Sequence, residues 1–165
     1  MNQTKAFKFL LLFLALPVAA QTVHHSKKQQ PVYFVSDTVT FNNSTHTVTY
    51  IGHVKVRQGH THITGDKMVL HLSKTNKIIK MVDTGRPATY TAPMTNHPGM
   101  IHAEADTITN DALHNRILLD GHARVAQNHN TIRAAHISYD RTRGVLHTHG
   151  GVGHQLTHIT VMPTH

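Results

Sequence analysis

Residues 48–58 read VTYIGHVKVRQ, and this stretch decides the fold class. Apolar side chains stand at every second position on both sides of a central Gly-His pair, and all the residues between them except Ile51 are polar. A period of two places alternate side chains on opposite faces of a strand, whereas a helix needs a period near 3.6. The stretch therefore predicts a β-strand with one apolar face. Gly52 predicts a bulge or bend within it, because a glycine inside a strand usually marks such a site.

The same alternation continues from Pro31 onward in short runs separated by turn-forming residues, such as Asn42-Asn43-Ser44 and Gln58-Gly59. Thr, Val, Ile and Tyr are abundant, as is typical of half-buried pleated surfaces. The sequence predicts an all-β fold of many short antiparallel strands. These strands would form two facing sheets or one rolled sheet.

An internal duplication is visible when the sequence is compared with itself. Asp37-Thr38-x-Thr40 aligns with Asp106-Thr107-x-Thr109, and Gly52-His53 aligns at the same offset with Gly121-His122. Alternation alone does not produce these strings, so we predict a true repeat. The two aspartates at equivalent places are predicted to cap turns or to bind backbone N–H groups, rather than to act as a catalytic carboxylate pair.

Composition excludes several functional classes. The 165 residues include no Cys, which excludes a disulfide scaffold and thiolate metal sites. Aromatic residues make up only 5%, so a stacking platform for nucleic acid is not predicted. The chain also lacks the nucleophile-elbow, zinc-protease and phosphate-loop motifs. We therefore predict no catalysis, no cofactor and no nucleic-acid partner.

The N-terminus has the parts of a secretory signal peptide: two lysines, a short apolar run, and small residues before Gln21. We predict a signal peptide over residues 1–20, a flexible arm over 21–30, and one β domain over 31–165. With 16 Lys and Arg against 8 Asp and Glu, the chain is predicted to be an exported basic protein.

Four segments resemble, in order, the motifs of one family. Residues 30–37 (QPVYFVSD) are similar to its opening strand, and residues 49–59 with 63–68 to its TGNV-x-V-x-Q-G and I-x-A-D-K signature. Residues 85–90 (GRPATY) resemble its GKPATF segment, and residues 119–125 its LTGNA strand. On these motifs the chain is identified as a member of the OstA/LptA family of Gram-negative lipopolysaccharide-transport proteins.

This resemblance implies an open, twisted β-jellyroll in the periplasm. The family carries lipopolysaccharide (lipid A) from the inner-membrane export complex to the outer-membrane translocon. By similarity, the partners are lipopolysaccharide, an LptC-like inner-membrane protein, an LptD-like outer-membrane protein, and further copies of the chain joined head to tail. Two departures from the family pattern are His53 and His122, which stand where the family has Asn.

The resemblance also assigns the inward-facing residues to lipid binding, in an apolar trough expected to be open along its length. The predicted lipid-binding residues are Val32, Phe34, Val39, Phe41, Val48, Tyr50, Val54, Val56, Ile63, Met68, Leu70, Tyr90, Ile108, Ile117, Leu119, Val125, Ile132 and Ile137.

Two other functions stay open from the residues alone. A structural or adhesive β-protein would pack the same aliphatic face as a closed core. A metal-binding protein could use some of the 18 histidines, since His60-x-His62 and His147-x-His149 each place two imidazoles on one strand face.

Overall fold

The computed structural model describes residues 30–94, 98–150 and 156–161. They form ten β-strands: β1 Tyr33–Val35, β2 Thr38–Asn42, β3 Thr47–Gln58, β4 Thr61–Leu72, β5 Ile78–Pro93, β6 Met100–Asp111, β7 Arg116–Gln127, β8 Asn130–Asp140, β9 Val145–His149 and β10 His158–Thr160. The predicted all-β class is confirmed, with β3 to β8 longer than the short strands expected. None of the described residues is helical, so no helix able to span a membrane occurs among them.

The strands make one antiparallel sheet in which β3 to β8 pair with their chain neighbours in order. Two short strands pair with β3 at one edge, namely β1 and β2. Two pair with β8 at the other edge, namely β9 and β10. The two edges do not pair with each other among the described residues, so the sheet is open.

A line of register shifts crosses the sheet near the middle of the long strands. The pairing shifts between Ile51 and Val54 in β3, and corresponding shifts follow in each later pair of long strands as far as β7 and β8. A bulge bends the strand and increases its twist. Aligned bulges therefore divide the sheet into two halves that can turn toward each other.

We call these halves the first and second walls. The first wall contains β2, β9 and residues 47–51, 67–72, 78–84, 107–111, 116–120 and 136–140. The second wall contains β1, β10 and residues 54–58, 61–65, 88–93, 100–105, 123–127 and 130–134. Inward residues of both walls form a single buried cluster. No helix or second sheet covers this face in the described ranges, so each wall covers the other.

The two walls differ in the size of their inward side chains. The central strands of the second wall contribute alanines, including Ala88, Ala103 and Ala105, each at most 1% exposed. The first wall contributes larger residues such as Met68 and Ile117. Large side chains facing small ones can interdigitate at native packing density.

The predicted duplication has a matching local geometry in both copies. Gly52 and Gly121 adopt φ of +81° and +77°, and each lies at a bulge. The following histidine binds an aspartate: the His53 Nδ1 to Asp37 Oδ2 distance is 2.8 Å. The equivalent distance from His122 to Asp106 is 2.9 Å. The prediction that these aspartates cap turns or bind backbone N–H groups is corrected, because their carboxylates bind an imidazole across a bulge.

Gly121→Ala is expected to destabilise the protein more than Gly144→Ala. Both glycines have positive φ, where an L-residue costs about 1–2 kcal/mol. Only at Gly121 would the new Cβ also collide with the Asp106 carboxylate, whereas nothing lies within 4 Å at Gly144. Urea unfolding measures the difference, and Gly52→Ala is expected to behave like Gly121→Ala because of Asp37.

Adding Asp106→Ala to Gly121→Ala removes the colliding carboxylate and should recover part of the lost stability. Equal losses at Gly121 and Gly144 would contradict the close approach of carboxylate and backbone at the bulge.

Candidate functional site

The interior between the walls contains most of the residues predicted from alternation. Thirteen of the eighteen are buried: Val48, Val54, Val56, Ile63, Met68, Leu70, Tyr90, Ile108, Ile117, Leu119, Val125, Ile132 and Ile137. Their common face follows from pairing, since directly opposed residues on antiparallel strands share a face. Side chains such as Met68 and Val125 have no solvent exposure, so the walls are in contact in the middle of the interior. The sequence led us to expect a trough open along its whole length. The interior is instead packed in its middle.

The other five predicted residues lie on the same side of the sheet but near its β1–β2 edge. Phe34 and Tyr50 are partly buried against the core. Val32, Val39 and Phe41 are exposed, and Phe41 is 73% exposed. Val39 and Phe41 lie opposite Tyr50 and Val48, so their inward direction agrees with the pattern. They are uncovered because β2 is an edge strand.

The two walls also meet near this edge through an aromatic pair. Phe34 on β1 belongs to the second wall, and Tyr50 belongs to the first. Their rings stack with centroids 5.0 Å apart and an interplanar angle of 14°. Such stacked pairs add to stability beyond their buried area. The contact joins the walls where the other inward residues become exposed.

An apolar cavity of about 100 Å³ opens at the rim, beside this aromatic pair. The second wall lines it through residues near the β3–β4 turn, including Val56 and Ile63. The first wall contributes Leu70, Ile78 and Met81. The cavity lies between the free ends of the two walls, away from the line of bulges that joins them.

Four polar residues border this apolar cavity: Gln58, Thr61, Lys80 and Asn110. Gln58 donates a hydrogen bond to the Gln30 carbonyl at 3.2 Å. The Asn110 Oδ1 atom is buried and has no hydrogen-bond partner among the described residues. Alternation did not identify Asn110, because it is a polar residue at an inward position, opposite Met81 and Ile117.

Asp83 is a further residue that sequence reasoning missed. It is fully buried in the first wall, opposite Met68 and Ile108. Neither carboxylate oxygen has a hydrogen-bond partner within the described part of the chain. Burial, with a contribution from the charge of Asp66, raises the pKa of Asp83 to about 8. The sequence did carry a signal for this residue. Asp83 stands two positions after Met81, so alternation places both side chains on the same inward face.

The outer face carries several charged side chains. Lys55, Arg57, Lys67 and Arg133 are exposed there. A larger cavity of about 300 Å³ lies on this side, with Arg116, Arg143 and His147 in its lining. In the described ranges no three His, Asp or Glu side chains are placed to hold a metal ion.

The chain is thus an open, two-walled β-jellyroll protein with an apolar interior that reaches the surface at one rim. Residues 33–145 match the family described as the LptA/(LptD N-terminal domain) LPS transport protein. The match covers more than half of the chain, and the chain belongs to this family. The resemblance found in the sequence is thereby confirmed.

Two further comparisons agree. The lipopolysaccharide export system protein LptH of Pseudomonas aeruginosa is 29% identical over 132 residues, which cover 80% of this chain and 75% of the relative. The crystal structure of LptH, described as the LptA-homologous periplasmic component of the lipopolysaccharide transport device, aligns with a TM-score of 0.70. That alignment has 25% identity and covers 81% of this chain and 96% of the other.

Asp83→Asn is expected to change how stability depends on pH. An unfolded aspartate has a pKa near 3.9, whereas the folded value is about 8. Between these values the folded protein holds a proton that the unfolded chain has lost. The contribution of Asp83 to stability is therefore full at about pH 4 and falls as pH rises to about 8.

Because Asn stays neutral, the melting temperature of Asp83→Asn relative to wild type should increase from pH 5 to pH 8 and then level off. Thermal unfolding of both proteins in matched buffers measures this difference, in which the titration of all shared histidines cancels. A difference that is constant with pH would show that Asp83 has an ordinary pKa.

Proposed function

We propose that this protein is a periplasmic carrier of lipopolysaccharide, which binds acyl chains between its two walls and passes them toward the outer membrane. The observation that carries the proposal is the apolar interior formed by both walls and opened at the rim. Family membership and the likeness to LptH support lipopolysaccharide as the ligand. They give no comparable support to an adhesive or a metal-binding role.

The energetics require such an enclosed path. Each methylene exposed to water costs about 0.8 kcal/mol, so a chain of about twelve methylenes costs roughly 10 kcal/mol. A lipid with several chains needs apolar cover throughout an aqueous compartment. Binding and release of this kind need no catalysis, cofactor or metal, and nothing in the proposed role depends on them.

The size of the cavity implies that the walls move apart around the ligand. An engineered apolar cavity of about 150 Å³ holds one benzene, whereas the rim cavity is about 100 Å³. It can accept only the end of one acyl chain. Separation of the walls about the line of bulges would lengthen this cavity into the interior, where Met68, Ile117 and Val125 lie.

The two edges of the sheet suit assembly into a bridge. Edge strands have unpaired N–H and C=O groups that can pair with another chain. Apolar side chains are exposed at both edges, among them Phe41 on β2 and Ile159 on β10. We propose that copies add head to tail, with an LptC-like protein at one end of the chain of copies and an LptD-like protein at the other.

A photoreactive amino acid at Val56 should form adducts with lipopolysaccharide, because Val56 lines the rim cavity. The same amino acid at Lys55 is the matched control, since Lys55 is the preceding residue of β3 and is exposed on the opposite face. Irradiation followed by detection of lipid adducts on gels measures the difference. Equal labelling at both positions, or labelling at Lys55 alone, would contradict lipid binding between the walls.

Native mass spectrometry over a concentration range should show a ladder of oligomers. Phe41→Asp is expected to shorten it, because a buried charge at the joined edge is unfavourable. Leu113→Asp is the control, since Leu113 is 67% exposed in a turn away from the edges, compared with 73% for Phe41. A ladder that both variants leave unchanged would argue against joining through β2.

A further inference from the structure

The rim cavity has a chemical asymmetry that simple alkyl binding does not use. Most of its lining is aliphatic, yet Asn110 and Lys80 border it on the first wall. Asn110 lies opposite Met81 on one side and Ile117 on the other, so it belongs to the inward face. An amide at such a position is unfavourable unless its polar atoms are satisfied.

The hydrogen bonding of Asn110 is incomplete. Its Oδ1 atom is shielded from water and has no partner among the described residues. An orphaned buried acceptor costs about 1–3 kcal/mol, and native proteins retain few of them. The terminal torsion of an asparagine side chain is broad, so rotation can turn this oxygen toward a donor in the adjoining cavity.

Lys80 borders the same opening, but its side chain belongs to the outer face. It is only partly buried, and it pairs in register with His71 on one side and Asp111 on the other. Asp111 already accepts two hydrogen bonds from His114, one from the backbone N–H and one at the imidazole. Lys80 therefore shares the outer face with Asp111, whereas Asn110 faces the interior from the same wall.

We infer that Asn110 determines which acyl chains enter, by accepting a hydrogen bond from a hydroxyl or amide N–H near the polar end of the chain. The inference rests on the proposed function, since it assigns a ligand class to the same interior. The ligand class is an acyl chain with a hydrogen-bond donor a few bonds from its polar end. A plain alkyl chain leaves the Asn110 oxygen unsatisfied.

Two probes that differ by one hydroxyl test this directly: 3-hydroxytetradecanoate and tetradecanoate, titrated into the purified protein by calorimetry. A net hydrogen bond contributes about 0.5–1.5 kcal/mol, so wild type should bind the hydroxylated probe about two- to tenfold more tightly. Asn110→Leu should abolish this preference and bind tetradecanoate at least as well as wild type does.

Thr61→Val is the control for the site, since Thr61 lines the same cavity and the change removes a hydroxyl at nearly constant shape. It should leave the preference intact. Equal affinities of wild type for the two probes would overturn the inference without reference to any variant. A preference that survives in Asn110→Leu, or disappears in Thr61→Val, would also overturn it.

Failure of this inference can be distinguished from failure of the proposed function. If neither probe binds but lipopolysaccharide still labels Val56, the lipid path stands and the role of Asn110 is wrong. If neither probe binds and Val56 is not labelled, lipid binding between the walls is itself contradicted.

Discussion

The line of bulges is the constraint on which the rest of the structure depends. A sheet with one apolar face must cover that face, and in the described residues no helix or second sheet does so. Bending each long strand at the same level lets the sheet cover itself. The bend in β3 and β7 uses a glycine in the left-handed region, because an adjacent carboxylate occupies the place of a Cβ. The aspartate that excludes a side chain there also binds the next histidine, so each bulge is fixed from both sides.

The bulges also determine what kind of interior forms. Since the walls are halves of the same strands, they are joined along one side and free at the opposite rim. Alanines on the central strands of the second wall let the larger residues of the first wall approach closely. The middle is accordingly packed, and free apolar volume is found at the rim. The same arrangement buries Asp83 in the neutral form, because a charged carboxylate without a partner would be costly in this packed region.

Much of this could be predicted from the sequence, because a period of two and turn residues are local signals. Alternation identified the inward face correctly at thirteen buried positions, and the repeat of Gly-His located two bulges. The sequence could not show that Val39 and Phe41 would be uncovered, because exposure depends on whether another strand lies beyond β2. It also did not identify Asn110 and Asp83, since their inward parity conflicts with their polarity. Such conflicts between local pattern and position are expected at functional or strained sites.

The exposed edge residues connect the interior with the proposed assembly. Both walls extend to both edges, because β1 and β2 pair with different halves of β3, as β10 and β9 do with β8. A second jellyroll that adds strands at an edge can therefore extend both walls at once. Such an addition would cover Phe41 and continue the apolar face without a gap, which a partner that paired with one wall alone would not achieve. In the proposed bridge, strand pairing and the lipid path are thus one requirement: the edge that joins two copies is also the place where the acyl chains cross from one interior to the next.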